Sequence, residues 1–130
     1  MNPDQTLARA SAWDPLRILN TLLGVAMLGF TAVQYNDPDG LLWALYYLVP
    51  AVWAFIAAYR LELARSGLGQ RLLWASLAIW LGLVIFYWPA MPNFWLKEVW
   101  MQEETAREGM GLMIAWLAVL TACVTARRKP

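Results

Sequence analysis

The residues best placed to do chemistry are four carboxylates and their neighbours. Asp37 and Asp39 lie in the run Asn36-Asp37-Pro38-Asp39-Gly40, and Glu104 and Glu108 stand one helical turn apart with Arg107 between them. Hard cations such as Ca²⁺ and Mg²⁺ prefer oxygen ligands, so Asp37, Asp39, Glu104 and Glu108 form a candidate metal set, with Asn36 and Gln34 adding neutral oxygens. Carboxylates brought close repel, so one of them must be protonated, paired with Arg107 or bound to a cation. A zwitterionic or cationic small ligand suits the same mixture of charges. Asp-Pro-Asp-Gly is not an EF-hand loop, because the remaining ligand spacing is missing. Trp43 and Tyr47, one turn apart and close to the acidic run, either wall such a site or simply pack, with a cation–π contact as a minor use.

The same residues have a purely structural reading. Asp37 suits the N-cap of a following helix, Pro38 its first position, and Asp39 the positive end of its dipole. Arg107, three residues after Glu104 and four after Glu103, can pair with either. It can also bridge the acidic turn to the last span as a clasp in a structural or accessory subunit. The two readings part on Arg107: a clasp puts it among the carboxylates, and a cation site turns it away. Paired carboxylates also do acid–base work when their pKa values split. Against an enzyme, the chain has no histidine and no recognisable nucleophile motif, which excludes bis-histidine haem, histidine-ligated zinc and Ser–His or Cys–His catalysis within it. Binding is therefore favoured over catalysis.

The elements that must position these groups are transmembrane helices. Of 130 residues, 61% are apolar and only 15% charged, against about 25% charged in soluble domains. The apolar residues fall in long runs: Leu16–Tyr35, Leu41–Tyr59, Leu72–Ala90 and Gly109–Ala126. Each run, at about 1.5 Å per residue, matches a hydrocarbon core near 30 Å. Asp14-Pro15 is a good helix start, Pro50 is expected to kink the second span, and Pro89 and Pro92 stop the third. The first apolar run is too long for a signal-peptide core and follows a polar segment, Met1–Ala12, so it is read as a retained span. Asn36–Gly40 makes a hairpin of spans one and two. Ser66-Gly67-Leu68-Gly69 reads as a loop. Asn93–Met101, with Phe94, Trp95, Val99 and Trp100 among charges, reads as a short interfacial helix or an ordered aromatic loop. The expected fold is all-α: a single-domain transmembrane four-helix bundle of two antiparallel hairpins.

Charge sets the orientation. Arg9 and Arg17, then Arg60, Arg65 and Arg71, then Arg127, Arg128 and Lys129 share one side, eight of the ten basic residues. Basic residues favour the cytoplasm, so both termini are expected inside. The opposite side holds Asp37, Asp39, Glu98, Glu103, Glu104 and Glu108 against only Lys97 and Arg107. No basic block of nucleic-acid-binding size exists. The expected surroundings are the bilayer and either a homo-oligomer or a larger membrane complex. Trp88, Trp95 and Trp100 read as an outer aromatic belt and Trp13 as an inner one.

Two inward faces follow from helical spacing. Asn20, Gly24, Met27, Thr31 and Gln34 share one face of span one, and amides avoid lipid. Glu104, Glu108, Gly111, Ala115, Ala118 and Ala122 share one face of span four, where small residues let helices approach. Should that helix begin before Gly109, the two glutamates continue its buried face upward. Cys123, alone in the chain, excludes an intrachain disulfide and is read as packing rather than palmitoylated.

Val33-Gln34, Asn36-Asp37-Pro38-Asp39, Trp43, Tyr47 and Pro50-Ala51, with Glu104, Arg107-Glu108, Gly111-Leu112 and Ile114 near the last span, resemble the signature of the transmembrane protein 220 family. Asn20 also falls at the family's position in the first span. The resemblance implies a small polytopic membrane protein and no established activity. It also brings two polar signatures to one side of the membrane, which suits a shared site or a shared clasp.

Overall fold

The computed structural model describes residues 14–128. Arg9, Trp13 and Lys129, used above for orientation and the inner belt, lie outside the described residues. The helices are α1 (Pro15–Ala32), α2 (Gly40–Tyr59), α3 (Leu61–Arg65), α4 (Gly67–Phe86), α5 (Lys97–Gln102) and α6 (Glu104–Arg127), and a 3-10 turn, Val33–Asn36, extends α1. The described residues contain no strand. Helices α1, α2, α4 and α6 are long and apolar enough to cross a membrane, so the protein is an all-α, multi-pass transmembrane bundle.

Local sequence accounts for most of the boundaries. The Asp14 carboxylate accepts from the Leu16 amide at 3.0 Å, and Pro15 opens α1. Helix α2 begins later than expected: Asp39, not Asp37, is its N-cap residue and Gly40 its first. The reason is two successive tight turns. The Asp37 amide donates to the Gln34 carbonyl at 3.1 Å, and the Gly40 amide donates to the Asp37 carbonyl at 3.0 Å. Gly40 then lies so close to the Gln34 carbonyl that any side chain there would overlap it. Pro38 accordingly sits in the turn rather than at the start of the helix.

Span three differs at both ends from the expected 72–90. Ser66-Gly67-Leu68-Gly69 is not a loop. The Ser66 hydroxyl caps α4, accepting from the Gly69 amide at 3.0 Å, and the two glycines form the helix's first turn. Helix α4 ends at Phe86, because Pro89 disfavours helical geometry in the residue before it. The stretch Tyr87–Pro89 then crosses α6 at Gly109, where an added β-carbon would lie 2.6 Å from Pro89 Cδ and 2.7 Å from the Tyr87 carbonyl. In the long connection, the expected short helix occupies Lys97–Gln102.

Helix α6 is the centre of the bundle, packing against α1, α2 and α4. Its small stripe is buried as expected: Gly111, Ala115, Ala118 and Ala122 all lie inside. One core cluster joins Met27, Trp43, Tyr47, Trp80 and Leu112; the other joins Trp53, Leu73, Val119 and Cys123. Cys123 is 4% exposed and packs. Indole N–H groups bridge the helices. Trp53 donates to Ser76 Oγ at 3.0 Å, Trp116 to the Leu77 carbonyl at 3.2 Å, and Trp80 to the Tyr46 carbonyl at 2.9 Å. The last has a clear origin. Pro50 has no N–H for the carbonyl four residues back, so the Tyr46 carbonyl is left for Trp80, and α2 continues through the proline.

Candidate ligand-binding mouth

At the end of the bundle that carries the Asn36–Gly40 turn, a cavity of about 550 Å³ opens between α1 and α6. Such volumes are typical of small-molecule sites. Helix α6 reaches it because it begins at Glu104, five residues before its apolar run, and so carries Glu104 and Glu108 upward on the face that buries Gly111. The polar half is lined by Gln34, Asp37, Glu104, Arg107 and Glu108, and the apolar half by Phe30, Val33, Met110 and Ile114. Tyr47 and Gly111 form the wall from α2 and α6, and Trp100 closes the cavity from α5.

Six of the nine residues singled out as ligand-binding therefore converge: Gln34, Asp37, Tyr47, Glu104, Arg107 and Glu108. Glu108 is half-buried and within hydrogen-bond reach of Glu104, and the charges of Asp39 and Asp37 act on it from further away. No ion pair reaches any of these four carboxylates among the described residues, where the pairs are Arg60–Glu62 and Arg128–Asp14. The Gln34 amide nitrogen donates to the Phe30 carbonyl at 3.0 Å, which leaves its oxygen as an acceptor.

The other three stand apart. Asn36 is exposed at the end of the 3-10 turn. Asp39 accepts from Trp43 Nε1 at 3.1 Å. Trp43 is buried in an aromatic cluster, its ring 5.1 Å from Tyr46 and 5.0 Å from Tyr87 between centroids. It does not wall the cavity. Among the described residues no three of Asp, Glu, Cys or His come close enough together to hold a metal ion.

Arg107 is turned away from the carboxylates, as a cation site would have it and a clasp would not. Its Nη1 donates to the carbonyls of Trp100 at 2.8 Å and Met101 at 2.9 Å. It thus satisfies carbonyls at the C-terminal end of α5 and straps that helix to the first turns of α6. It does not bridge the acidic turn to α6, which removes the geometry expected of a clasp. Arg107 still lines the cavity, and a guanidinium has three further N–H groups beyond Nη1.

Tyr47 is the most telling wall residue. It is only 4% exposed, its ring lies edge-on to Phe30 with centroids 5.4 Å apart, and its hydroxyl has no hydrogen-bond partner among the described residues. The hydroxyl rests on Gly111, where any side chain would overlap it. The sequence reading missed Phe30, Val33, Met110 and Ile114 as lining residues. The signal was present: Phe30 is one turn before Gln34, and Met110 and Ile114 continue the Arg107 face of α6.

No solved structure matches the chain. The family model described as "Transmembrane family 220, helix" matches residues 26–124, a stretch that contains the acidic turn, Tyr47, α5 and the Glu104–Ile114 face. With four helices fit to span a membrane and that match over most of its length, the chain is an integral membrane protein that belongs to transmembrane family 220.

Proposed function

We propose that the mouth binds a small cationic or zwitterionic ligand, and that the protein recognises this ligand on the non-cytoplasmic face of the membrane, in transport or in sensing. One observation carries the reading: a cavity lined by Asp37, Glu104 and Glu108, none of them ion-paired among the described residues, with the hydroxyl of the largely buried Tyr47 open to it and without a hydrogen-bond partner there. A cationic group placed there relieves the mutual repulsion of the carboxylates and gives Tyr47 a bond. The anionic part of a zwitterion meets the edge of Arg107 that does not hold α5. The lack of three convergent metal-ligating groups favours an ammonium-type cation over a divalent metal. The basic residues at the opposite end support the orientation. A cysteine placed at Asn36 in a Cys123→Ala background tests it by labelling with an impermeant maleimide from outside intact cells.

The ligand reading is tested by thermal unfolding of the detergent-solubilised protein. Tetramethylammonium, glycine betaine, Ca²⁺ and Mg²⁺ are each titrated against wild type, Asp37→Asn and Glu108→Gln. An ammonium compound is expected to raise the melting temperature of wild type and to lose that effect in both variants. Stabilisation by Ca²⁺ or Mg²⁺ alone would return the site to a metal. No difference between wild type and variants for any compound would remove the binding reading.

A further inference from the structure

The mouth changes character along its length. The apolar run of α6 begins at Gly109, so Glu104 and Glu108 stand above the hydrocarbon boundary, and Met110 and Ile114 lie below it. From Glu104 to Ile114 the helix rises about 15 Å. Phe30 on α1 faces the lower half, and Gln34, one turn further, faces the upper half. A single cavity thus crosses from carboxylates to hydrocarbon-facing side chains. A soluble ion has no use for the lower half.

The buried phenol points the same way. Tyr47 presents its ring to the apolar half, against Phe30, and its hydroxyl, 96% of the residue being covered, has no partner at the height where the lining changes. That hydroxyl keeps its oxygen open to the cavity, and a head group at that height supplies its acceptor or donor. The rings of Tyr47 and Trp100 line the cavity, and aromatic walls suit an ammonium ion.

We infer that the ligand is an amphiphile with an ammonium head, seated with the head among Asp37, Glu104 and Glu108 and an alkyl chain along Phe30, Met110 and Ile114. This rests on the binding reading above and narrows it to a membrane-partitioning molecule that binds by both ends.

The test compares probes that separate head from tail. Protein in dodecyl maltoside is titrated with n-decylammonium, with methylammonium (head alone) and with decyl sulfate (the same chain, opposite charge). Melting temperature and ligand-free folding by circular dichroism are followed. Decylammonium is expected to stabilise wild type at a concentration at least roughly tenfold below methylammonium, as burying a few methylenes requires, and decyl sulfate is expected not to stabilise. Glu104→Gln/Glu108→Gln should abolish the decylammonium effect. Ile114→Trp, which fills the lower half, should reduce it to the methylammonium level. Asp37→Asn, in the exposed turn, provides a head-group variant should the double variant fold poorly. Equal potency of methylammonium and decylammonium would overturn the amphiphile and leave the binding site standing. A decylammonium effect that persists in the head-group variants, or that decyl sulfate reproduces, would mark it as bulk detergency and overturn the inference. Absence of any effect from either amine would remove both readings.

Discussion

At the basic end of the bundle the polar side chains are tied to one another, whereas at the turn end they are left facing a space. Arg128 pairs with Asp14 across the two ends of the described chain. Arg65 donates to the carbonyls of Ala126 at 3.1 Å and Arg128 at 2.6 Å. Asn20, fully buried, donates to Thr125 Oγ1 at 2.8 Å and to the Leu16 carbonyl at 2.8 Å, with its Oδ1 alone left without a donor among the described residues. Thr21 donates to the Tyr59 hydroxyl at 2.9 Å. At the other end, the arginine lining the cavity is turned to helix carbonyls, and no ion pair reaches the carboxylates among the described residues. One end is knit for stability. The other gathers like charges with no ion-paired counter-charge among the described residues, which is the arrangement the proposed ligand would relieve.

This contrast is sharpest in its response to substitution. The largest effect is expected from Asn20→Ala, which removes the α1–α6 hydrogen bond and leaves a void at a fully buried site. A loss of roughly 1–2 kcal/mol, read as a lower melting temperature or lower denaturant midpoint, is the expected result. Unchanged stability would mean that the two ends do not differ as described.

Next comes Asp14. The hydrogen bond from Arg128, reinforced by the Leu16 amide, holds its carboxyl below the usual 3.8, against a smaller upward push from burial. Its contribution is therefore fully present above the ordinary aspartate value and is lost as pH falls through the lowered one. Asp14→Ala should cost about 1 kcal/mol at neutral pH as a lost N-cap, with little more from the solvent-exposed ion pair. The variant should also melt with a shallower acid dependence than wild type. Parallel acid profiles for the two proteins would count against the pairing.

The smallest effect should have the opposite sign. Glu108→Gln at the turn end relieves a like-charge pair one helical turn apart, so ligand-free protein should gain roughly 0.2–0.5 kcal/mol. A clear loss of stability would show Glu108 to be part of the structural frame rather than held for a ligand.

What was legible in the amino-acid sequence follows from the physics each residue obeys. The four spans were legible because hydrocarbon demands long apolar runs, and the buried face of α6 because Gly111, Ala115, Ala118 and Ala122 recur at helical spacing. The start of α4 was not, because Ser-Gly serves equally as a turn and as a cap with a glycine-rich first turn. Only the close approach of Gly69 to the Leu63 carbonyl decides between them. Trp43 and Tyr47 are one turn apart, yet only Tyr47 reaches the cavity. Asp39 takes the Trp43 N–H and Tyr87, forty-four residues on, takes its ring, and no local pattern encodes that. The partners of Arg107 were not legible, because they are backbone carbonyls, which every residue carries and no letter marks.

The bond between Trp80 and the Tyr46 carbonyl makes the proline of one span dependent on the tryptophan of another. Restoring an N–H at position 50 gives the carbonyl a second donor within its own helix, which its two lone pairs can accept beside the indole. Removing the indole leaves a buried acceptor that proline cannot let the helix satisfy. Loss of the indole alone therefore strands a polar group in a hydrocarbon setting, and an N–H at position 50 satisfies it again. A helix breaker on one span thus makes a tryptophan on another necessary, while the tryptophan makes no such demand of the proline.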